Sequence, residues 1–519
     1  TMWLERLALI LAALVAVPTA AAALDTAADF QQHCAECHGA DRLGRMGPAL
    51  LPENLARLRK PQATEVIAKG RQQTQMQGFA DRLSPEQIDG LVQMIYTPLP
   101  IVPQWGEAEI RASLKLETPP DQLPDKPVYQ ADMMNLFIVV EMGDSHVTVL
   151  DGSRMEPIAR FPSHFALHGG PKYSPDGRFV YFASRDGWVT KFDLYSLKVV
   201  ADVRAGINTR NLAISADGRT VAVANYLPHT LVLLDAETLA PIRIIPAASR
   251  EGVSSRVSAV YQAEPANAFV VALKDVPELW TINWTDNPPP VFQGLVHSYE
   301  PGLEEGLAEP GRFPIRRIAL TEPLDDFFFD PGYEHLVGSA RDGGHGVVIY
   351  LYAGREIARI PLTGLPHLGS GITWTDERGS FLASPNLKHG KVSVIDMKNW
   401  TVDMTIETLG PGSFVRSHET SPYAWIDNSF SKAKDTLQII DKRTLEVVAQ
   451  VTPEPGKTAN HVEFTRDGKY ALISVSEDDG WLVVYDAATL KEVKRLPMRK
   501  PMGKYNVFNK ITRSGGTSH

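Results

Sequence analysis

The chain has 519 residues, too many for one compact core, so two or more domains are expected. Its 44% hydrophobic and 22% charged residues are the composition of an ordinary globular protein. A net charge of −9 argues against nucleic acid or an anionic membrane surface as partner.

Residues 2–23 pair a charged start with an apolar run from Leu7 to Val17, then Pro18 and small residues to Ala23. That is signal-peptide architecture. The apolar run is shorter than the roughly 20 residues a spanning helix needs, so cleavage and export to the periplasm are expected rather than stable membrane insertion.

Residues 25–97 read as a small all-α domain. Asp25 to Gln32 forms a first helix that leads into Cys34-Ala35-Glu36-Cys37-His38, which holds the only two cysteines of the chain. C-x-x-C-H is the attachment signature of a c-type haem: the thiols form thioethers with the porphyrin, and the imidazole takes an axial iron position. A redox dithiol has no need of the histidine, and a structural zinc needs two more soft ligands that the sequence does not offer. No cysteine remains for disulfides. A sixth iron ligand is expected from Met76, in Met76-Gln77-Gly78-Phe79-Ala80, with Met46 and Met94 as competitors and His33 a surface residue. Ser84, Pro85 and Gln87 spell a helix start with a capping box, and Ile88 to Tyr96 the last amphipathic helix, with Gly90 its weak point.

Residues 98–127 carry seven prolines and no sustained periodicity. This predicts a semi-extended linker.

From residue 128 to 519 the chain repeats. Apolar strands end in Asp151, Asp193, Asp235, Asp396, Asp441 and Asp486, at spacings of 42 or 45 where copies are consecutive. Degenerate copies at 279–283 and 347–351 complete eight. Asp-Gly turns at 174–178, 215–219 and 465–469 fall earlier in the unit. A period of this length built of short strands and Asp-Gly turns is a propeller blade, and eight blades in one ring is the reading. The patternless stretch 295–313 is expected to be an inserted loop.

With strands a to d in each blade and the repeat Asp ending strand c, the b–c turns and the d–a links share one face. His168, His367, His418, His461 and Arg210 fall in d–a links or at the head of strand a. His345 and Arg185 fall in b–c turns, and Asp325 heads a strand a. A face collecting imidazoles and arginines around the axis is a candidate pocket for a metal, or for a haem with carboxylate side chains. The remaining histidines (146, 164, 229, 297, 335, 389 and 519) are read as surface residues.

A cytochrome c domain, a linker and an eight-bladed all-β propeller resemble the cytochrome cd1 nitrite reductase family. Local matches are Phe165-Ala166-Leu167-His168, Ser184-Arg185-Asp186-Gly187, Leu365-Pro366-His367-Leu368-Gly369 and Gly503-Lys504-Tyr505-Asn506-Val507. The resemblance implies a haem d1 in the propeller, with His168 as proximal iron ligand. Arg185 and Arg210 would hold its carboxylates, with Tyr226 nearby. Of the family's two distal histidines, one falls on His367 and the other on Asp325. A carboxylate there repels nitrite, so the pair is broken for nitrite reduction.

The likeness is nearer to the paralogous branch that dehydrogenates a propionate of dihydro-haem d1 to the acrylate of haem d1, passing electrons to the haem c. That branch implies His418 as first choice of base, with His461 and Asp325 in reserve, and His345 or His367 as distal iron ligand. The partners implied are dihydro-haem d1, a cytochrome cd1 nitrite reductase receiving the product, and a periplasmic electron acceptor. A nitrite reductase with an altered pocket and a non-enzymatic haem d1 carrier are the alternatives.

Overall fold

The computed structural model describes residues 24–516 apart from 46, 56–57, 72–75, 165, 294–306 and 340–343. The expected signal peptide, Met46, His297, His519 and most of the expected inserted loop lie outside the described residues.

The N-terminal unit is helical, with Thr26–His33, Ala35–His38, Pro52–Leu55, Lys60–Lys69 and Pro85–Ile95 around a core of Phe30, Ile67, Phe79, Leu91 and Val92. Ser84 Oγ accepts from Gln87 N at 3.2 Å and Gln87 Oε1 accepts from Ser84 N at 2.9 Å, which closes the capping box. The Gln87 amide also donates to Asp29 at 3.0 Å, joining the last helix to the first. Gly90 is where those two helices cross: a Cβ there would stand 2.7 Å from Thr26 Oγ1. What composition marks as a weak point is a close contact that needs the missing side chain.

Residues 98–127, expected as a semi-extended linker, carry regular structure of their own and dock on the propeller. Glu107–Ser113 is a helix with Ile110 fully buried, and Lys115–Leu116 is a strand added to the outer edge of blade 2, opposite Asp202 and Ala201. Trp105 Nε1 donates to Arg204 O at 2.8 Å, and Arg178 Nη2 donates to Pro124 O at 2.9 Å. One buried isoleucine and a few hydrogen bonds dock the segment, too few contacts to print a periodicity.

Eight four-stranded antiparallel blades follow, each in order a–b–c–d. The ring closes through the C-terminal strand Pro501–Asn506, which pairs with Leu136–Glu141 and serves as strand a of blade 1. The repeat Asp earns its recurrence locally. Asp151, Asp193, Asp235, Asp396, Asp441 and Asp486 each accept, at 2.8–3.1 Å, the backbone N–H two residues on. The residue four after each adopts a positive φ, closing the c–d turn. Residues 177, 218 and 468, the glycines of the Asp-Gly turns, have φ of +80°, +72° and +72° and join a to b. The c–d connection of blade 4 carries the insertion, of which a small hairpin, Phe292–Gln293 with Leu307–Ala308, is described. Among the described residues no helix is long and apolar enough to cross a membrane.

Candidate functional site

One cavity of about 600 Å³ is lined by both units, running from the Cys34–His38 motif into the d–a face of the propeller. The two units also share a small apolar contact of Ala49 and Leu51 with Ile207 and Leu227.

At the helical end Cys34 closes the first helix, and Cys37 and His38 lie on the next turn. Both cysteines are free. Burial pushes the Cys34 thiol up to about 11 and raises Cys37 as well, so both are thiols near neutrality rather than metal-binding thiolates. His38 lies with Nδ1 2.8 Å from Pro48 O. A carbonyl can only accept, so Nδ1 carries the proton and the Nε2 lone pair is left for iron. Burial holds this imidazole below its ordinary value and hence neutral. Gly47 makes room for it: a Cβ would come within 2.8 Å of the ring. Met76 and Met94 both pack against the helical core, and of the two only Met76 lines the cleft. The residues fit a covalently bound haem c.

At the propeller end the cavity brings together His168, His367, His461, Arg185 and Arg210. His168 Nδ1 donates to Arg210 O at 2.6 Å, and His367 Nδ1 donates to Ser413 O at 2.9 Å. Each therefore has its lone pair on Nε2, in the same tautomer as His38; in His168 that lone pair accepts from Arg210 Nη1 at 3.1 Å, and in His367 from Ser370 Oγ at 3.2 Å. Burial, then Arg210 and Arg185, push His168 well below the usual imidazole range, and burial lowers His367. His461 is the reverse case. Its Nδ1 accepts from the backbone N–H of Lys504 at 3.3 Å, so its proton sits on Nε2, a buried atom with no hydrogen-bond partner. Among the described residues no three His, Cys, Asp or Glu side chains gather as they would around a bare metal ion. Single imidazoles suit an iron already held in a macrocycle.

The cavity attracts anions although the chain is acidic overall. Arg185 is pushed down to about 10 by burial, with Arg210 and Arg71 adding to it. Burial opposes Arg210 too, but Tyr226, Asp326, Asp325 and Tyr261 hold it above its ordinary value. Tyr226 stands under the cations of Arg256 and Lys274, at 5.4 and 5.3 Å, and acts on the site through Arg210.

Three expected site residues are placed elsewhere. Asp325 is ion-paired with Lys274, and its neighbour Asp326 lines the cavity, because successive residues of a strand face opposite sides. His345 is bound by Glu322 and lies 2.9 Å from Arg359 Nη1, and it does not line the cavity. His418 is buried with Nδ1 2.8 Å from Thr420 Oγ1 and Nε2 3.2 Å from Asn509 Oδ1, turned into the packing between blade 7 and the C-terminal helix Val507–Ile511. Phase fixes which face a link belongs to, but not which way a side chain in it turns. Arg416, Tyr261 and Tyr505 line the cavity and were not singled out by sequence. Arg416 ends the short strand Val415–Arg416, and His418 lies beyond it in the following turn, so strand periodicity does not carry from one to the other.

Residues 131–510 match the Cytochrome D1 heme domain family, and residues 21–95 match the cbb3-type cytochrome c oxidase subunit III family. Dihydro-heme d1 dehydrogenase of Pseudomonas aeruginosa is 55% identical over 490 residues, covering 94% of this chain and 95% of that protein. Protein NirF of the same organism is 30% identical, over 71% of this chain and 90% of its own length. Nitrite reductase of Stutzerimonas stutzeri is 24% identical, over 92% of this chain and 91% of its own. The solved structure of dihydro-heme d1 dehydrogenase NirN in complex with DHE is similar with a TM-score of 0.82 at 55% identity, over 93% of this chain and 99% of that one. The chain belongs to the Cytochrome D1 heme domain family, as a member with a cytochrome c domain ahead of its propeller.

Proposed function

We propose that this protein is the oxidoreductase that completes haem d1, converting one propionate of dihydro-haem d1 to an acrylate. The step –CH2–CH2–COO⁻ to –CH=CH–COO⁻ releases two protons and two electrons. Haem c, once bound, accepts electrons singly, so two leave in succession for an external acceptor. The observation that carries the reading is the single cavity joining the Cys34–Cys37–His38 cleft to His168, Arg185 and Arg210, in a chain 55% identical to a dihydro-heme d1 dehydrogenase over nearly its whole length.

The roles follow from the lone pairs and charges. His168 Nε2, which here accepts from Arg210 Nη1 at 3.1 Å, would hold the substrate iron, and Arg185 and Arg210 would bind carboxylates at that end. His367 Nε2 is the proton acceptor, kept neutral by burial and oriented by Ser413 O. Export to the periplasm, delivery of the product to a cytochrome cd1 nitrite reductase and a periplasmic electron acceptor belong to the same proposal. The attachment motif and the N-terminal sequence pattern support the first of these.

Anaerobic incubation of the haem c-loaded protein with dihydro-haem d1 tests it. Loss of two hydrogens from the extracted tetrapyrrole, with haem c reduction, is the expected result. Tight binding with an unchanged tetrapyrrole would reduce the protein to a carrier.

A further inference from the structure

We propose that Glu463 relays the protons of the reaction out of the cavity, along the propeller axis, to Lys510 and the face closed by the C-terminal segment. This rests on the dehydrogenase reading and adds to it the route by which the site is reset.

The chemistry creates the need. Each turnover takes two protons from a –CH2–CH2– unit, while the two electrons leave singly by way of haem c for the external acceptor. An imidazole that has taken the first proton cannot take the second until it has given the first away. The cavity is walled by the blades and by the helical unit, so once substrate fills it there is little bulk water to receive that proton.

Strand direction supplies the route. The first strand of every blade runs from the d–a face, where the cavity opens, toward the a–b face. In blade 8 that strand is Ala459–Phe464. Val462 and Phe464 pack into the core between blades 7 and 8, so Glu463 between them is turned the other way. Arg416 and Lys510 both act on its charge, the one from the cavity lining and the other from the C-terminal helix Val507–Ile511. The step between those two levels is short: Lys510 Nζ stands 5.0 Å from the ring centre of Tyr505, which lines the cavity.

The C-terminal segment closes the far end of the axis. A Cβ on Gly177, in the a–b turn of blade 2, would come within 2.7 Å of Val507. Asn509 Nδ2 donates to Phe464 O at 2.9 Å, Arg513 pairs with Glu264, and Gly516 N donates to Thr373 O at 2.8 Å. Lys510 is therefore placed where the axis meets the outer surface.

Glu463 is not held as a fixed counter-ion would be. It is 1% exposed, and its Oε1 accepts the backbone N–H of Phe464 at 3.0 Å, while its Oε2 is buried with no hydrogen-bond partner. Two nearby cations are committed to other acceptors. Lys504 Nζ donates to His461 O and to Ser474 Oγ at 2.7 Å, and Arg416 Nη1 to Ser370 O and Val415 O at 2.8 Å. A buried carboxylate oxygen left open is costly, and a group that must exchange a proton is one that keeps an oxygen open. Burial raises the Glu463 carboxyl against the pull of Lys510, Arg416 and Lys504, and burial pushes Lys510 well below its ordinary range. Both groups are thereby brought toward neutral pH, where a relay works.

The test compares Glu463→Gln with Glu463→Asp in the haem c-loaded protein. Glutamine keeps the shape and cannot carry a proton; aspartate keeps the acid. After anaerobic mixing with dihydro-haem d1 in weakly buffered solution, an indicator dye follows the protons and haem c absorbance the electrons. The Gln variant is expected to bind within about 3-fold of the parent but to release protons about 10- to 100-fold more slowly. Its haem c reduction should show a larger solvent isotope effect in D2O, and the Asp variant should recover most of the rate. Equal losses in both variants would mark a packing role and overturn the proposal. So would parental rates in the Gln variant, or tighter binding as its main change, the mark of a counter-ion. Lys510→Gln is the second variant if residue 463 tolerates neither change, and parental proton release there would also overturn it.

A second readout needs no turnover. Tetrapyrrole carboxylates in the cavity offset Arg416 and weaken its hold on the Glu463 anion. Binding should therefore add an infrared carboxyl band that shifts in D2O and is missing from the Gln variant. Absence of that band in the parent overturns the proposal even if no dehydrogenation occurs. Its presence beside an unchanged tetrapyrrole would sink the dehydrogenase reading alone.

Discussion

The carboxylate of Asp326 accepts the backbone N–H of Gly369 at 2.7 Å, tying the first strand of blade 5 to the turn that carries His367. Tyr261 donates its hydroxyl to the same carboxylate at 3.1 Å. A methyl group at residue 369 would collide with Asp326, since the turn and the carboxylate are already in contact. Gly369→Ala should therefore displace His367 without touching the helical domain. Turnover is expected to fall on the order of 100-fold, the usual cost of a 1 Å misplacement, with an unchanged haem c spectrum. Full activity would show that His367 does not need this anchor.

His418 is expected to matter for stability and not for chemistry. Its Nε2 faces Asn509 Oδ1 at 3.2 Å, and Thr420 and Phe464 fill the rest of its surroundings. His418→Ala leaves Asn509 short of a donor in a buried place, at a cost of about 1–3 kcal/mol. A lower thermal midpoint with turnover close to the parent's is the expected pair of results. Abolished turnover in a folded variant would return His418 to the list of catalytic candidates.

Lys191 gives a stability prediction with a definite pH window. Burial brings its ammonium down to about 8 from an ordinary 10.5, while Nζ donates to Glu237 O at 3.0 Å. Between pH 8 and 10.5 the unfolded chain holds a proton that the folded chain has released, so the parent gains stability as pH rises through that window. Below pH 8 both states are charged and the gain is absent. Relative to Lys191→Met, the parent should recover about 3 kcal/mol across the window, at roughly 1.4 kcal/mol per unit. Denaturant titrations of both proteins at pH 7 and pH 10 check this. A constant difference would mean that the lysine is solvated in the fold.

The blades were legible because each rests on short-range chemistry. Asp193 closing its turn onto Tyr195 N at 3.1 Å is a contact two residues long, and it recurs with the repeat. Ring closure by Pro501–Asn506 was not legible, since a last strand pairing with the first leaves no local sign. The site divides the same way. Cys34, Cys37 and His38 are contiguous, and His168 and Arg210 share a phase, so both sets could be read from spacing. Asp325 and Asp326 differ by one position on a strand, and nothing local says which faces inward. Lys274 decides it by pairing with Asp325 from the neighbouring blade. Arg416 and His418 are divided by tertiary packing instead: Asn509, from the C-terminal helix, turns His418 away, and no local pattern announces that contact.

Met76 is the remaining assignment with a direct electrical readout. His38 presents Nε2 to the cleft and Met76 lines it as well, whereas the other described methionine of the helical domain, Met94, packs against the same core without lining the cleft. A thioether opposite an imidazole raises the potential of a haem iron relative to weaker ligation. Met76→Leu, which keeps the volume, should lower the haem c potential by about 0.1 V or more, within the roughly 0.8 V that axial ligands command. At 59 mV per tenfold for one electron, that shift makes haem c a sink about 50-fold poorer at equilibrium. The fraction of haem c reduced by a single equivalent of dihydro-haem d1 should fall accordingly, while the affinity for the tetrapyrrole stays unchanged. Met94→Leu should leave the potential where it was. If instead Met94→Leu lowers it and Met76→Leu does not, the sixth ligand is Met94, and the helix Pro85–Ile95 must open its core to provide it.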